Sequence, residues 1–185
     1  GRNLDKIGLH SADTSELFFN DVRVEGDAVL GDEHGGFGVL MKELPRERLT
    51  LAIGSLGAAE GALQWTIDYI RERKVFGQPV GKYQNTRFKI AEMMTEIRSL
   101  RSFIDDCTRL LSAGNLDTVT ASMAKLKATE LQGGIIDGCL QFFGGYGYMR
   151  EFPISRAFVD ARVQRIYGGT SEVMKEIIAR DILGR

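Results

Sequence analysis

Residues able to do chemistry gather in a few short stretches of this sequence. Arg46-Glu47-Arg48 sets one carboxylate between two cations at the start of a helical pattern. Such a trio ordinarily forms a solvated ion cluster matched to the helix dipole; as a site, it needs the carboxylate desolvated and acting as a base. Two glycine-rich turns are the other candidates. Gly144-Gly145-Tyr146-Gly147 would let backbone N–H groups approach an anion. It follows a helix C-terminus, however, where the dipole is negative, and no Gly-Lys-Ser/Thr completes a P-loop, so taken alone it reads as a helix stop. Gly168-Gly169-Thr170-Ser171 feeds a helix N-terminus, and there an anion-binding turn and simple capping stand level. His10 and His34, the only histidines, lie in the irregular N-terminal part outside ligand spacing, and no Glu-x-x-His occurs, so no metal site is expected.

The elements that must position these groups have two textures. Residues 1–34 are broken and Gly/Asp-rich, with Ser15–Phe19, Val22–Val24 and Val29–Gly31 reading as short strands between turns. Strands that short cannot bury their own apolar face, so they are expected to be a remnant of a β-domain, and 35–185 a separate helical domain. Leu49, Ala52, Leu56, Ala59, Leu63, Ile67 and Ile70 then recur at helical steps. Pro45 starts that helix near Arg46 or, if it begins earlier, bends it there; Gly77 and Pro79 end it. Ile90, Met94, Ile97, Leu100, Ile104, Cys107 and Leu111 form a second stripe, stopped at Ala113-Gly114-Asn115. A third helix is expected from about Thr118 to Phe143, with Met123, Leu131, Ile135, Cys139 and Phe142 on its apolar side. A shorter one starts at Pro153, and the last, capped by Thr170 or Ser171, stops at Gly184. Long amphipathic helices joined by short loops pack antiparallel, so the fold expected is all-α: a four-helix up-and-down bundle of long helices after a short β remnant.

The totals exclude several classes. With 24 basic and 25 acidic side chains the net charge is -1, which gives no electrostatic reason for nucleic acid or an anionic membrane as partner. No stretch is apolar over the roughly 18 residues a membrane span needs, and the first residues lack a signal-peptide core. The two cysteines, Cys107 and Cys139, sit in helical patterns and suit free thiols in a reducing compartment. The absence of an initiator Met suggests a piece of something longer.

Several segments together resemble one family. Arg73-Lys74-Val75-Phe76-Gly77 is similar to the Arg-x-x-Phe-Gly signature of acyl-CoA dehydrogenases. Gln141-Phe142-Phe143-Gly144-Gly145-Tyr146-Gly147 and Asp160-Ala161-Arg162 follow in the family's order. Tyr167-Gly168-Gly169-Thr170-Ser171-Glu172, with Arg180 downstream, resembles its closing motif. The resemblance implies FAD-dependent α,β-dehydrogenation of acyl-CoA thioesters to trans-2-enoyl-CoA. A carboxylate removes the α-proton while the β-hydrogen leaves as hydride to the flavin, and hydrogen bonds stabilise charge on the thioester oxygen.

Most members carry Glu after the Tyr of the closing motif; here Gly168 fills that slot, and its N–H is implied as a donor to the thioester oxygen. Long-chain and isovaleryl-type members place the base in a Glu-Arg-Leu sequence on the first bundle helix, and Glu47-Arg48-Leu49 matches it. Glu47 is thus the implied base, its pKa raised once flavin and acyl chain bury it; Arg48 is implied beside the substrate, orienting the base or limiting that rise. Tyr167 is implied against the thioester. Arg73 and Phe76 are implied at the adenosine-pyrophosphate part of a neighbouring subunit's FAD, lined also by Gln141 and Gly145. Thr170 and Glu172 are implied at the subunit's own FAD. Val75 stands where many members have a hydroxyl residue, which removes one polar contact. Met174-Lys175-Glu176 leans toward the long-chain type.

The family also implies a homotetramer built as a dimer of dimers, electron-transferring flavoprotein as acceptor, and bacterial cytoplasm or mitochondrial matrix as compartment. Whole members have an N-terminal helical and a middle β-domain, so these 185 residues alone are expected to bind FAD poorly and not to turn over. Two other functions fit the residues: an acyl-CoA oxidase, and a non-catalytic helical oligomerisation module, against which retention of Glu47 argues.

Overall fold

The computed structural model describes residues 1–184. Three long helices, α1 (Gly36–Glu72), α2 (Gln84–Ser112) and α3 (Thr118–Phe143), form the body of an all-α bundle. The remaining positions are filled by two short helices rather than a fourth long one: α4 (Pro153–Ala161) and α5 (Ser171–Leu183), both packed on α3.

α1 packs most extensively against α3. The reason is side-chain size: Ala52, Ala59 and Ala62 on α1 and Ala121, Ala124 and Ala128 on α3 are all buried, and small residues let helix axes approach closely. Leu49, Leu56 and Leu63 of α1 and Ile97, Leu100, Ile104 and Cys107 of α2 complete the core. α3 is the central helix and is buried on more sides than its expected stripe. Met123, Leu131 and Phe142 are only half-buried, while Lys125, Thr129 and Gln132 are buried. Asp117 starts α3 by accepting from the N–H groups of Val119 and Thr120, both at 2.8 Å, which pairs two of the donors every helix start leaves free.

α1 begins at Gly36 and runs through Pro45. The proline deprives the carbonyl of Met41 of its intrahelical donor, and Met41 is exposed, so water can pair it. The stop expected at Gly77 and Pro79 is a hairpin, β1 (Lys74–Val75) against β2 (Gln78–Pro79), turning on Phe76 (φ +48°) and Gly77 (φ +83°). Two consecutive positive φ values make the mirror-image turn that suits hairpin twist.

The strands expected in residues 1–34 are not formed. Among the described residues this segment makes one isolated bridge, Asn3 to Ser15, and a short 3-10 turn, Gly26–Ala28. Leu17, Phe18 and Phe19 are exposed, since no neighbouring strand is there to complete a ladder. The segment docks through Gly8 and Leu9, whose N–H donates to Asp160 Oδ1 at 2.6 Å. Among the described residues no helix is long and apolar enough to cross a membrane.

Candidate active site

The site grows from one face of α1. Glu43, Glu47 and Leu51 follow each other at four-residue steps, so their side chains stack along one stripe. The turn between α4 and α5 brings Tyr167 and Gly168 over that stripe. Together with Arg46 and Thr50 they line an open groove of about 500 Å³. Glu47, Tyr167 and Gly168, distant in sequence, are thus neighbours.

Gly168 is required here twice over. Its φ is +66°, a region costly for residues with a Cβ, and Leu51 Cδ1 lies 2.5 Å from where that Cβ would stand. Leu51 therefore fills the space a side chain at 168 would take, and the carboxylates that line the groove with Gly168, Glu43 and Glu47, come from α1. Glu47 is exposed on the groove rather than buried. Burial raises the Tyr167 phenol above its usual value, against the effect of a hydrogen bond with Gln164.

Arg48 lies elsewhere than expected. It is 4% exposed and faces inward, donating from Nη1 to Ser122 Oγ of α3 at 3.2 Å, and it does not line the groove. One helical step from Glu47 rotates a side chain by about 100°, which carries Arg48 off the groove face and into the α1–α3 seam. Desolvation lowers its pKa, and its Nε has no partner among the described residues.

On the far side of the turn, Thr170 caps α5 by accepting from Val173 N at 3.3 Å. Glu172 sits in the first turn, where the α5 backbone N–H, then the Thr170 hydroxyl and the Lys175 and Arg162 charges hold its carboxyl below the usual value. Ser171 donates to Glu130 Oε1 at 2.6 Å, tying the α5 start to α3.

Arg73, Gln141 and Gly145 converge at the other end of α1. With Tyr69, Phe143 and Tyr146 they line a second groove of about 490 Å³. The Arg73 guanidinium lies 5.5 Å from the Tyr146 ring centroid. Tyr69 stacks on Phe143 at 4.2 Å, and Phe152 contacts both and Tyr146 edge-on or tilted, so four rings fix the end of α1 to the end of α3. Phe76 stays out of this groove, 98% exposed at the hairpin tip. Arg73 and Glu47 are about seven turns apart, roughly 39 Å along α1 at about 1.5 Å per residue.

The second groove suits a dinucleotide pyrophosphate: an exposed Arg stands beside Gly144 and Gly145, at each of which the space a Cβ would occupy is open, so a phosphate can approach the backbone. Among the described residues no cluster of His, Cys, Asp or Glu has the geometry of a metal site.

Two residues at the first site escaped the sequence reading. Glu43 is signalled only by its four-residue spacing from Glu47. Lys125 is signalled by a cation on the buried face of α3, between Ala124 and Ala128. It is fully buried and donates from Nζ to the carbonyl of Gly169 at 2.7 Å.

Residues 34–183 match the family model described as acyl-CoA dehydrogenase, C-terminal domain. The chain is 50% identical over 183 residues to the mitochondrial long-chain specific acyl-CoA dehydrogenase of Sus scrofa, covering 99% of this chain and 43% of that protein. It superposes on an acyl-CoA dehydrogenase of Geobacillus kaustophilus with TM-score 0.97 and 43% identity, over 99% of this chain and 48% of that one. A chain in a structure of the electron transferring flavoprotein of Acidaminococcus fermentans, described in terms of flavin-based electron bifurcation, aligns with TM-score 0.96 and 35% identity, over 100% and 49%. The chain thus spans about half the length of the relatives it matches.

Proposed function

Because this chain belongs to the acyl-CoA dehydrogenase family, we propose that it supplies the base-bearing half of an FAD-dependent α,β-dehydrogenation of acyl-CoA thioesters. The observation that carries the proposal is the groove uniting Glu47 with Gly168. Glu47 takes the α-proton onto its carboxylate. The Gly168 N–H donates to the thioester oxygen as negative charge grows there, which is the interaction that makes the α-proton removable. Bound FAD supplies the two-electron oxidant for the β C–H bond. Tyr167 lies against the thioester end, and an acyl chain lying in the groove would take the Glu47 carboxylate out of water.

Thr170 and Glu172 hold FAD at this site through the α5 start. Arg73, Gln141 and Gly145 bind the pyrophosphate side of a second copy's FAD, with Phe76 at the tip of the hairpin reaching the same neighbour. The support is distance: roughly 39 Å along α1 is more than one dinucleotide spans, so the two groups serve different flavins in a homo-oligomer, for which the proposed assembly is a dimer of dimers. The acceptor is an electron-transferring flavoprotein, and the compartment is the mitochondrial matrix or bacterial cytoplasm, where buried free Cys107 and Cys139 stay reduced.

The test uses the full-length protein, mixed anaerobically with straight and branched acyl-CoAs while flavin absorbance is followed. Bleaching by long straight chains, then slow reoxidation by air and fast reoxidation by the flavoprotein, is expected. Rapid reoxidation by air makes it an oxidase, and absence of any bleaching removes the proposal.

A further inference from the structure

Two buried cations lie beneath the closing turn and take no part in the steps above. Lys125 rises from α3 and Arg48 from α1, and the Arg48 Nη2 lies 3.9 Å from the point where a Cβ on Gly169 would stand. Burying an ammonium with no carboxylate in contact is costly, and a side chain as long as lysine could reach solvent from most surface positions. Here Lys125 does not. Its one hydrogen bond among the described residues is to the carbonyl of Gly169. Desolvation, then the charge of Arg48, lowers the Lys125 pKa, against weaker opposing effects of Glu130 and Glu172.

The acceptor of that bond lies in a segment with little rigidity of its own. Gly168 and Gly169 both have positive φ, +66° and +101°, and glycine pays no steric penalty for leaving these values. Among the described residues neither glycine N–H makes a hydrogen bond, so both donors stand free for another partner. Upstream, the chain is held by Tyr167 N donating to Val163 O at 3.1 Å; downstream, by the α5 cap. Between them the Lys125 ammonium is the single polar tie among the described residues.

We propose that Lys125 is a positioning residue: its buried ammonium, bonded to the Gly169 carbonyl, holds the Gly168–Gly169 turn so that the free Gly168 N–H stays in register with Glu47 across the groove. This rests on the reading of Glu47 and Gly168 as base and donor. It explains a charged residue on the buried face of the central helix: a neutral apolar side chain of the same length would fill the space and leave the turn untethered. Lys125 touches neither the thioester nor the base and acts through the turn.

The experiment compares Lys125→Met and Lys125→Gln with wild type and Glu47→Gln, all in the full-length protein with FAD. Hydrogen exchange of the 163–175 segment is the readout independent of turnover: Lys125→Met is expected to speed it while the rest of the bundle keeps its protection. A β-thia acyl-CoA, which loses its α-proton but cannot be dehydrogenated, reports donor placement through its long-wavelength absorbance with oxidised flavin. The pH midpoint of that band is expected to rise by about one to two units, because a misplaced donor stabilises the enolate less. The flavin reduction rate should fall roughly 10- to 100-fold with KM little changed. Lys125→Gln, which keeps a donor but no charge, should lie between, and it serves alone if the Met variant does not fold. Unchanged exchange and an unchanged midpoint in Lys125→Met overturn the proposal, as does Lys125→Gln with neither effect where it serves alone. If Glu47→Gln reduces flavin at the wild-type rate, the reading of the site fails separately, and the exchange result still decides whether Lys125 tethers the turn.

Discussion

Phe152→Ala should loosen the end of the bundle that carries Arg73 and Gln141. Phe152 sits between Tyr69, Phe143 and Tyr146, with ring centroids 6.3, 5.9 and 5.1 Å away. Truncating a fully buried Phe costs about 3–5 kcal/mol; Phe152 is half-buried, so about 2 kcal/mol of that applies. Each lost ring pair adds roughly 0.5 kcal/mol, which brings the expected loss to about 3–4 kcal/mol. For a chain of this size that lowers Tm by roughly 7–14 °C. Phe152→Leu, which keeps most of the volume and loses the ring geometry, should cost less than half as much. Urea unfolding of the three proteins measures it directly, and in the full-length protein the Ala variant should also retain less FAD through gel filtration. A Phe152→Ala loss under about 1 kcal/mol would mean that the four rings touch without bearing the load assigned to them.

Other expectations follow from single contacts. Asp117→Ala removes the α3 cap and should cost about 1 kcal/mol at neutral pH by urea unfolding. The hydrogen bonds from Thr120 hold the Asp117 carboxyl below the usual carboxylate range, so this stabilisation is present above that range and is lost as pH falls through the folded pKa; the wild-type advantage should vanish in stronger acid. Cys107 and Cys139 are buried and desolvation raises both thiols, so a disulfide reagent should find neither in the native protein and both in denaturant. The 185 residues alone should bind FAD weakly; stoichiometric FAD surviving gel filtration, bleached by acyl-CoA, would contradict that.

Much of this architecture was legible because it rests on period and punctuation. Of the α2 stripe, Ile97, Leu100, Ile104 and Cys107 are buried as the spacing predicts, Ile90 and Leu111 are half-buried and Met94 is exposed; Pro153 and Thr170 begin helices for the reasons their chemistry gives. α3 was harder, since its burial rests on alanines, Thr129 and Lys125, which no hydrophobic stripe announces. The hairpin at Phe76 was read as a stop because a positive φ at phenylalanine has no sequence signal. The short apolar runs of residues 15–31 suggest strands, although a strand needs a partner along its length and among the described residues only the single Asn3–Ser15 bridge is present. At the site, Glu47 and Gly168 were named from motif resemblance, and the fold places them together. Arg48 shows the limit of such reasoning: neighbouring Glu47 in sequence, it faces another direction on the helix.

The central claim, that Glu47 is the base, is tested most directly by Glu47→Gln in the full-length protein, mixed anaerobically with long-chain acyl-CoA in a stopped-flow instrument. Glu43→Gln, the other carboxylate of the groove, is the control. The account predicts that Glu47→Gln still binds substrate but bleaches flavin several orders of magnitude more slowly, with Glu43→Gln close to wild type. Normal bleaching by Glu47→Gln would place the base elsewhere and return Glu47 to a charge on the surface of α1.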